Sequence, residues 1–460
     1  MIDRVANLMM RDSVDLRKRS QVNAFSSLKA KLAAGNNVVI FVNGDSTSHS
    51  KYGVYYKFVT MLGDLYNCTV NAYRWAEYDD VAGTPTGPKD YAAADALRSG
   101  TAQTITLYLA SFPGRVAGTM FDGSRKPTAI DAIPTPDMCI MHHGHNMQSY
   151  PMITPNTIGD YQYSNGVGKW LGPIGMQEIQ WPNVPQVLVT QNPWQSDNGF
   201  EKCYNAMRLV ARMHKELTVV DTYMQFIARG KLTTLYRGGD NIHPSDSLAN
   251  SAGAQLQADT LIDAYKRAKS TSGFITPAWP SNAAKNLIDN GDFSNWPSTL
   301  PVGWTAVGAG LSVTKETTIK YGAAAYSCKI APSTSISGQS SYMQKYLSGT
   351  EMAAIAGKTV CFSALCYSAN PAANPAPYFS IYNKFGNLRD YVSGALMDCQ
   401  NGWMWYISGN IPVTQNAAEV WRYMRFTPAQ TVPNPTTSDP MYVQRVLVTE
   451  GLPAYGLIAP

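Results

Sequence analysis

Val38-Val39-Ile40-Phe41-Val42-Asn43-Gly44-Asp45-Ser46 decides how the rest of the chain is read. Its first five residues are all apolar and either β-branched or aromatic, the mark of a buried strand. Asn43, Gly44 and Asp45 are turn formers and stop that strand. Ser46 follows, with Thr47, Ser48 and then a segment of helical pattern. A serine on a sharp turn between strand and helix holds its hydroxyl clear of the sheet edge. The helix N-terminus behind it favours developing negative charge. Serine and aspartate are also ordinary helix caps. The stretch alone therefore leaves two readings, nucleophile or cap, and the rest of the chain must supply a base and an oxyanion hole to separate them.

Upstream, residues 1–35 read as helical, with Leu28, Leu32 and Ala33 on a partial apolar face and Gly35-Asn36-Asn37 as the stop. Downstream, strand-like runs recur at Cys68–Trp75, Ile105–Ala110, Met138–His142, Val187–Thr190 and Val219–Tyr223. Helical stretches fall at Lys51–Tyr66, Ala92–Arg98, Gly199–Leu217 and Leu248–Lys269. This alternation predicts an α/β domain over 36–269, a parallel sheet covered by helices. Residues 270–285 carry Ser, Thr, Gly, Pro277 and Pro280 and read as a linker. From 286 to 460 the texture changes to short apolar alternations at Tyr326–Ile330, Thr359–Leu365, Tyr378–Tyr382, Trp403–Ile407, Tyr423–Thr427 and Tyr442–Val448, with Gly349–Ile355 the one helical candidate. Many short strands with turns between them predict an all-β sandwich.

Composition bounds the function. The 460 residues suffice for two or three domains, 45% are hydrophobic, and only 15% are charged. A net charge of +5 with no basic cluster interleaved with aromatics argues against a nucleic-acid partner. The seven cysteines are scattered and form neither a disulfide framework nor a paired metal motif. Cys139 sits in an apolar run and reads as a core thiol. The first twenty residues carry Arg4, Arg11, Arg17, Lys18 and Arg19 without an apolar core, unlike a secretory signal. No window approaches the ~18 to 20 apolar residues of a membrane span. The expectation is a chain made as a soluble product, with no membrane partner.

In a parallel α/β sheet, ligands sit at the carboxyl ends of the strands. Those ends deliver Ser46, then Ser111-Phe112-Pro113-Gly114, His142-His143-Gly144-His145-Asn146, Gln191-Asn192-Pro193-Trp194, and a last loop with Asp240-Asn241-Ile242-His243. An acyl-transfer serine needs a base near neutral pKa, which histidine supplies without heavy tuning. It also needs a carboxylate to orient that imidazole. His243 and Asp240 share one loop and fit both roles; Asp221, at the end of the sixth strand, competes for the second. Oxyanion donors must stand where charge develops, and the Ser46 N–H, Gly114 and the Asn146 amide are the candidates. Gly118 lies in the same segment as Gly114. Asp45 reads as structural. His142, His143 and His145 invite a metal reading, but no companion thiolate or carboxylate motif completes one. His142 and His143 fall on opposite faces of their strand. His49 and His214 read as surface or helix residues. Tyr73, Trp75, Asn192 and Trp194 lie near strand ends, where they either line a substrate cleft or pack in the core.

Gly44-Asp45-Ser46, Gly114, Gly144-x-Asn146 and Asp240-x-x-His243, in that order, resemble the SGNH (GDSL-type) hydrolase family over about residues 36–268. Thr47 stands where the family name has leucine, and Met147 where aspartate is usual. The resemblance implies a flavodoxin-like three-layer α/β fold and a serine esterase. Ser46 would be nucleophile, His243 base and Asp240 its orienter, with Ser46, Gly114 and Asn146 forming the oxyanion hole. No cofactor is implied.

Asn286-Leu287-Ile288-Asp289-Asn290-Gly291-Asp292-Phe293, with Trp296, Pro301, Gly303 and Trp304, resembles the opening of jelly-roll carbohydrate-binding modules. Val443 to Gly451 resembles their last strand. The alternative is a sandwich that only packs and binds no sugar. The segment 28–35 running into the serine strand resembles SGNH domains of bacteriophage tail spikes. These resemblances imply a polysaccharide O-deacetylase of a virion tail or baseplate. It would act on O-acetylated capsule or O-antigen at the host surface, and tail spikes are commonly homotrimers. The rival readings are a bacterial carbohydrate acetylesterase with a binding module, and a non-catalytic glycan receptor-binding protein.

Overall fold

The computed structural model describes residues 24–80, 82–147, 168–196, 200–214, 217–270, 285–308, 310–332, 341–368, 378–382, 389–390, 395–398, 402–412, 423–427 and 440–453. The first part of the chain forms a seven-stranded sheet from β1 (Val38–Gly44), β2 (Thr69–Arg74), β3 (Asp95–Arg98), β4 (Thr104–Ser111), β5 (Met138–His142), β6 (Gln186–Val189) and β7 (Thr218–Val220). The spatial order is β3-β2-β4-β1-β5-β6-β7. All pairs are parallel except the antiparallel edge pair β2–β3. The serine strand β1 is central, as its unbroken apolar run requires: both faces are covered. Gly44 is level with Ser111 of β4 and with His142 of β5. Three strands therefore end together, and their turns meet.

The two faces of β1 are buried differently. Val38, Ile40 and Val42 pack with Leu107, Leu109, Met138, Ile140 and Val187 beneath helices α1 (Ala24–Ala33), α2 (Val54–Tyr66) and α6 (Ala252–Arg267). In α2, Val54, Tyr55, Phe58, Val59 and Leu62 recur at helical spacing on one buried face. Asn67 ends α2 in the left-handed region at φ +53°, its N–H returning to the Gly63 carbonyl. On the other face, Phe41 and Cys139 pack with Ala110, Phe112, Phe121, Met176 and Trp181. Helices α3 (Gly168–Gln180), α4 (Glu201–Met213) and α5 (Thr222–Ala228) complete this part.

Two antiparallel sheets follow. The six-stranded one has the order β15-β16-β12-β18-β10-β9 and the five-stranded one β14-β13-β17-β11-β8. Their strands are β8 (Trp304–Val307), β9 (Leu311–Glu316), β10 (Ser327–Pro332), β11 (Tyr342–Tyr346), β12 (Thr359–Ser368), β13 (Tyr378–Tyr382), β14 (Arg389–Asp390), β15 (Ala395–Asp398), β16 (Trp403–Pro412), β17 (Tyr423–Thr427) and β18 (Met441–Glu450). One core is drawn from both sheets: Trp304, Met343, Met424 and Phe426 meet Cys328, Ile330, Phe362, Ala364, Val443 and Val446. The short helix α7 (Gly349–Ile355) starts at a capping box in which Ser348 and Glu351 satisfy each other's backbone N–H groups.

Strands β12, β16 and β18 of the six-stranded sheet are buried on their second face as well, whereas β9 exposes Ser312 and Thr314 there. Leu365, Trp403, Trp405, Ile407 and Leu447 join the cluster that contains Phe41, Phe112, Met176 and Trp181 of the first part. Between the sheets lies α3, with Trp170, Leu171, Ile174, Met176 and Gln177 all buried. Among the described residues, no helix is long and apolar enough to cross a membrane.

Several expectations need correction. Ala92–Arg98 is no helix: Asp95–Arg98 pairs antiparallel with β2, because the short segment completes a sheet edge where Arg98 also reaches Asp64 and the Cys68 carbonyl. The last parallel strand stops at Val220, and Thr222 already begins α5. Of the N-terminal helical segment, residues 24–33 are helical and 1–23 lie outside the described residues. So do 271–284 of the expected linker.

Candidate active site

At the end of β1 the chain turns through residues 46–48. Asp45 builds this turn from below: its Oδ1 accepts from the Thr47 N–H at 3.0 Å and the Thr47 hydroxyl at 2.8 Å, and its carbonyl accepts from the Ser48 N–H at 3.1 Å. The turn leaves no room beneath it. A Cβ on Gly44 would lie 2.1 Å from the Ser48 Oγ and 2.6 Å from the Ser111 Oγ.

The Ser46 Oγ lies 2.7 Å from the His243 Nε2. The His243 Nδ1 lies 2.5 Å from the Asp240 Oδ2. The other Asp240 oxygen accepts from the N–H groups of Ile242 (2.7 Å) and His243 (3.1 Å). Burial pushes the Asp240 carboxyl up, but these two backbone bonds and the imidazole outweigh it and hold the pKa below 3.8. A carboxylate kept ionised can fix the tautomer of His243, Nδ1–H toward itself, and leave Nε2 to face the hydroxyl. The loop is braced by the Arg237 N–H on the His243 carbonyl (3.0 Å) and by a bidentate Arg237–Asp246 pair, both contacts 2.7 Å.

Gly114 follows β4 in an exposed turn at φ +73°, a conformation that suits glycine. Gly118, at φ −79°, has no such requirement. Asn146 is partly exposed, and its side-chain amide donates to the Arg115 carbonyl at 3.1 Å, tying its loop to the Gly114 turn. Asp221 does not compete for His243: it caps α5 and accepts from the Tyr204 hydroxyl at 2.7 Å.

Two expected cleft residues are core residues. Trp75 has no exposed surface; its indole N–H donates to Glu77 at 3.1 Å and its ring meets Tyr91 edge-on. Asn192 is buried too, and its amide donates to the Ile242 carbonyl at 2.6 Å, inside the acid–base loop. Tyr73 is half-buried and stacked on Tyr108 at 5.0 Å. Trp194 is half-buried beside that loop, where the Gln195 N–H bonds the Asn241 carbonyl.

Sequence reasoning missed Gln191, which is fully buried. Its Nε2 lies 2.8 Å from both the Asp45 Oδ1 and the Thr47 Oγ1, and its Oε1 accepts from the His145 N–H at 2.6 Å. No spacing or motif marks a glutamine for such a role. The only sequence signal is its place at a strand's carboxyl end.

The three histidines before Asn146 are buried. His142 lies edge-on to Tyr55, His143 bonds the Asn43 side chain, and His145 bonds the Asn192 carbonyl. Burial pushes their pKa values down to about 3, about 4 and about 4. Asp45 is held below the usual carboxylate range: burial works against its charge, and the imidazoles and Gln191 outweigh it. Among the described residues, no group of three His, Cys, Asp or Glu side chains is placed to hold a metal ion. His49 and His214 are likewise buried rather than at the surface: His49 bonds the Ser111 carbonyl, and His214 bonds Glu178 at 2.7 Å.

No protein-family model and no curated protein matches the chain. Among solved structures, the chain is similar to a lipase/acylhydrolase from Enterococcus faecalis at 12% identity, over 51% of this chain and 100% of that one, with a TM-score of 0.32. It is similar to a tail fiber protein from an E. coli phage at 10% identity, over 92% of this chain and 49% of that one, with a TM-score of 0.31. It is similar to a xylan-binding domain from CBM 22 at 15% identity, over 35% and 91%, with a TM-score of 0.25. At such scores these are likenesses of low coverage or low overlap, and none assigns an activity.

Proposed function

We propose that the chain is a serine ester hydrolase of SGNH type that removes O-acetyl groups from a bacterial surface polysaccharide. The observation that carries this reading is the aligned series Ser46 Oγ, His243 imidazole and Asp240 carboxylate, with contacts of 2.7 and 2.5 Å. His243 takes the Ser46 proton as Oγ attacks the acetyl carbonyl. The Ser46 N–H, Gly114 and Asn146 receive the oxyanion. His243 then protonates the departing sugar oxygen, and water, deprotonated by His243, frees acetate from the acetyl-enzyme.

The polysaccharide substrate and the virion tail setting rest on the sequence resemblances, as does the division into 1–35, 36–269, 270–285 and 286–460. The second part is read as a jelly roll. Of the cleft residues, Tyr73 and Trp194 remain candidates for a sugar face. A homotrimer is part of the same reading, and sedimentation equilibrium at three chain masses is the expected result.

The test is acetate release from a panel of O-acetylated bacterial polysaccharides by wild type, Ser46→Ala and His243→Ala. Each variant should lose at least ~10³-fold in rate and keep the wild-type circular dichroism. Equal release by all three would remove the catalytic assignment. Glycan binding without any release would favour a receptor-binding protein.

A further inference from the structure

We infer that Gln191 is a positioning residue that sets the nucleophile turn against the oxyanion loop. The inference rests on the hydrolase reading above. Two of the three parts of such a site come from different strand ends, and nothing in the backbone ladder fixes them once β1 and β5 have ended at Gly44 and His142. Beside the Asn43–His143 contact at the strand ends themselves, one buried side chain bridges that gap further out, across the turn residues. Gln191 stands just beyond β6. Its amide nitrogen contacts Asp45 and Thr47, the residues on either side of Ser46, at 2.8 Å each, and lies 3.2 Å from the His142 carbonyl. Its amide oxygen accepts from the backbone N–H of His145, directly before Asn146.

The donor–acceptor pattern is directional. Thr47 gives its hydroxyl proton to Asp45 and so offers a lone pair to Gln191. Asp45 and Thr47 require a donor, and the His145 N–H requires an acceptor. A carboxamide is the side chain that supplies both from one planar group. The Oε1 side is closely fitted: a Cβ on Gly144 would lie 2.9 Å from that oxygen and 2.8 Å from Phe200. The neighbouring Asn192 carries the same linkage onward. Its carbonyl accepts from His145 at 2.8 Å and its amide reaches Ile242, between Asp240 and His243. The pair at the end of β6 thus touches all three loops while contacting none of the reacting atoms.

The test uses p-nitrophenyl acetate turnover by the full chain, with the burst of p-nitrophenol counting competent serines. The variants are Gln191→Leu, Gln191→Glu and the isosteric Thr47→Val. A purely structural role would lower the number of competent sites and the melting temperature, but not the turnover of each remaining site. A positioning role lowers kcat per titrated serine. The expected loss is about 100-fold for Gln191→Leu, the scale of an ångström-sized misplacement, with KM changed by less than about twofold. Gln191→Glu should fall similarly, since it keeps the acceptor for His145 and sets a second carboxylate against Asp45. Thr47→Val, which removes one partner, should lose less, and its effect should not add to that of Gln191→Leu. Per-site kcat within about threefold of wild type in both Gln191 variants would overturn the inference while leaving the hydrolase reading in place. Absence of Ser46-dependent turnover in the wild type would overturn the hydrolase reading, and this inference with it.

Discussion

Ser46 and His243 lie 197 positions apart in sequence and 2.7 Å apart in space. Their pairing was legible because chemistry forces residue types as well as spacing: a serine after a strand, and an aspartate three residues before a histidine on one late loop. Gln191 was not legible, since a buried amide leaves no pattern in a single sequence. For Trp75 the sequence leaves cleft and core both open, because nearness to a strand end does not say which face a side chain takes; the structure buries it in the core. The same scale carries a pH prediction. His142, His143 and His145 have pKa values pushed by burial to about 3, about 4 and about 4, from an ordinary 6.5. The unfolded chain therefore binds protons that the folded one refuses as pH falls below about 6.5. The stability these neutral imidazoles allow is full above that pH and is lost as it approaches 4. Thermal unfolding should show the melting temperature falling steeply between pH 6.5 and pH 4.5 and staying nearly level from pH 8 to pH 7; a flat profile through the lower range would contradict the assignment.

At the scale of elements, all six strand-like runs of the first part mark strands, and β13, β17 and α7 have the expected bounds. The errors have physical causes. Asp95–Arg98 is a four-residue edge strand, too short for alternation to show against a helical prior. Helix α3 was missed because Gly168, Gly172, Gly175 and an internal Pro173 mask its period; tertiary burial from both sides overrides that weak propensity. In β12 the unbroken burial from Val360 to Cys366 says that both faces are covered, and its sequence already has no polar alternation beyond Ser363. Leu365 points into the cluster shared with Phe112 and Trp181, whereas Phe362 points into the sandwich core. Truncating either should cost about 2–5 kcal/mol. Urea unfolding followed by tryptophan fluorescence is expected to show Leu365→Ala shifting the transition as far as Phe362→Ala does. A shift under about 0.5 kcal/mol for Leu365→Ala would mean that the outer face of the sheet is not a real interface.

On the scale of the molecule, the sequence showed two textures, one α/β and one all-β, and the structure has a seven-stranded, mostly parallel sheet followed by antiparallel ones. It did not show that the parts share a core, because a contact between distant segments has no local period. Phe41 and Trp405 belong to one buried cluster. Calorimetry should accordingly record one cooperative transition, and a chain ended at residue 270 should scatter light and associate; a monodisperse, fully active fragment would refute the shared core. Strands β12, β16 and β18 therefore have no free broad face to offer a ligand, so glycan capture by the second part would fall to the other sheet, to the exposed outer face of β9 or to the rims. The covered face also bears on synthesis. The ribosome completes α3 well before β12, β16 and β18 emerge, so the nascent chain must carry an uncovered apolar patch for more than two hundred codons' worth of elongation, from residue 180 to residue 403 and beyond. Production in a foreign host should on that account depend on chaperone supply and on slow, cool expression more than the folded protein's stability alone would suggest.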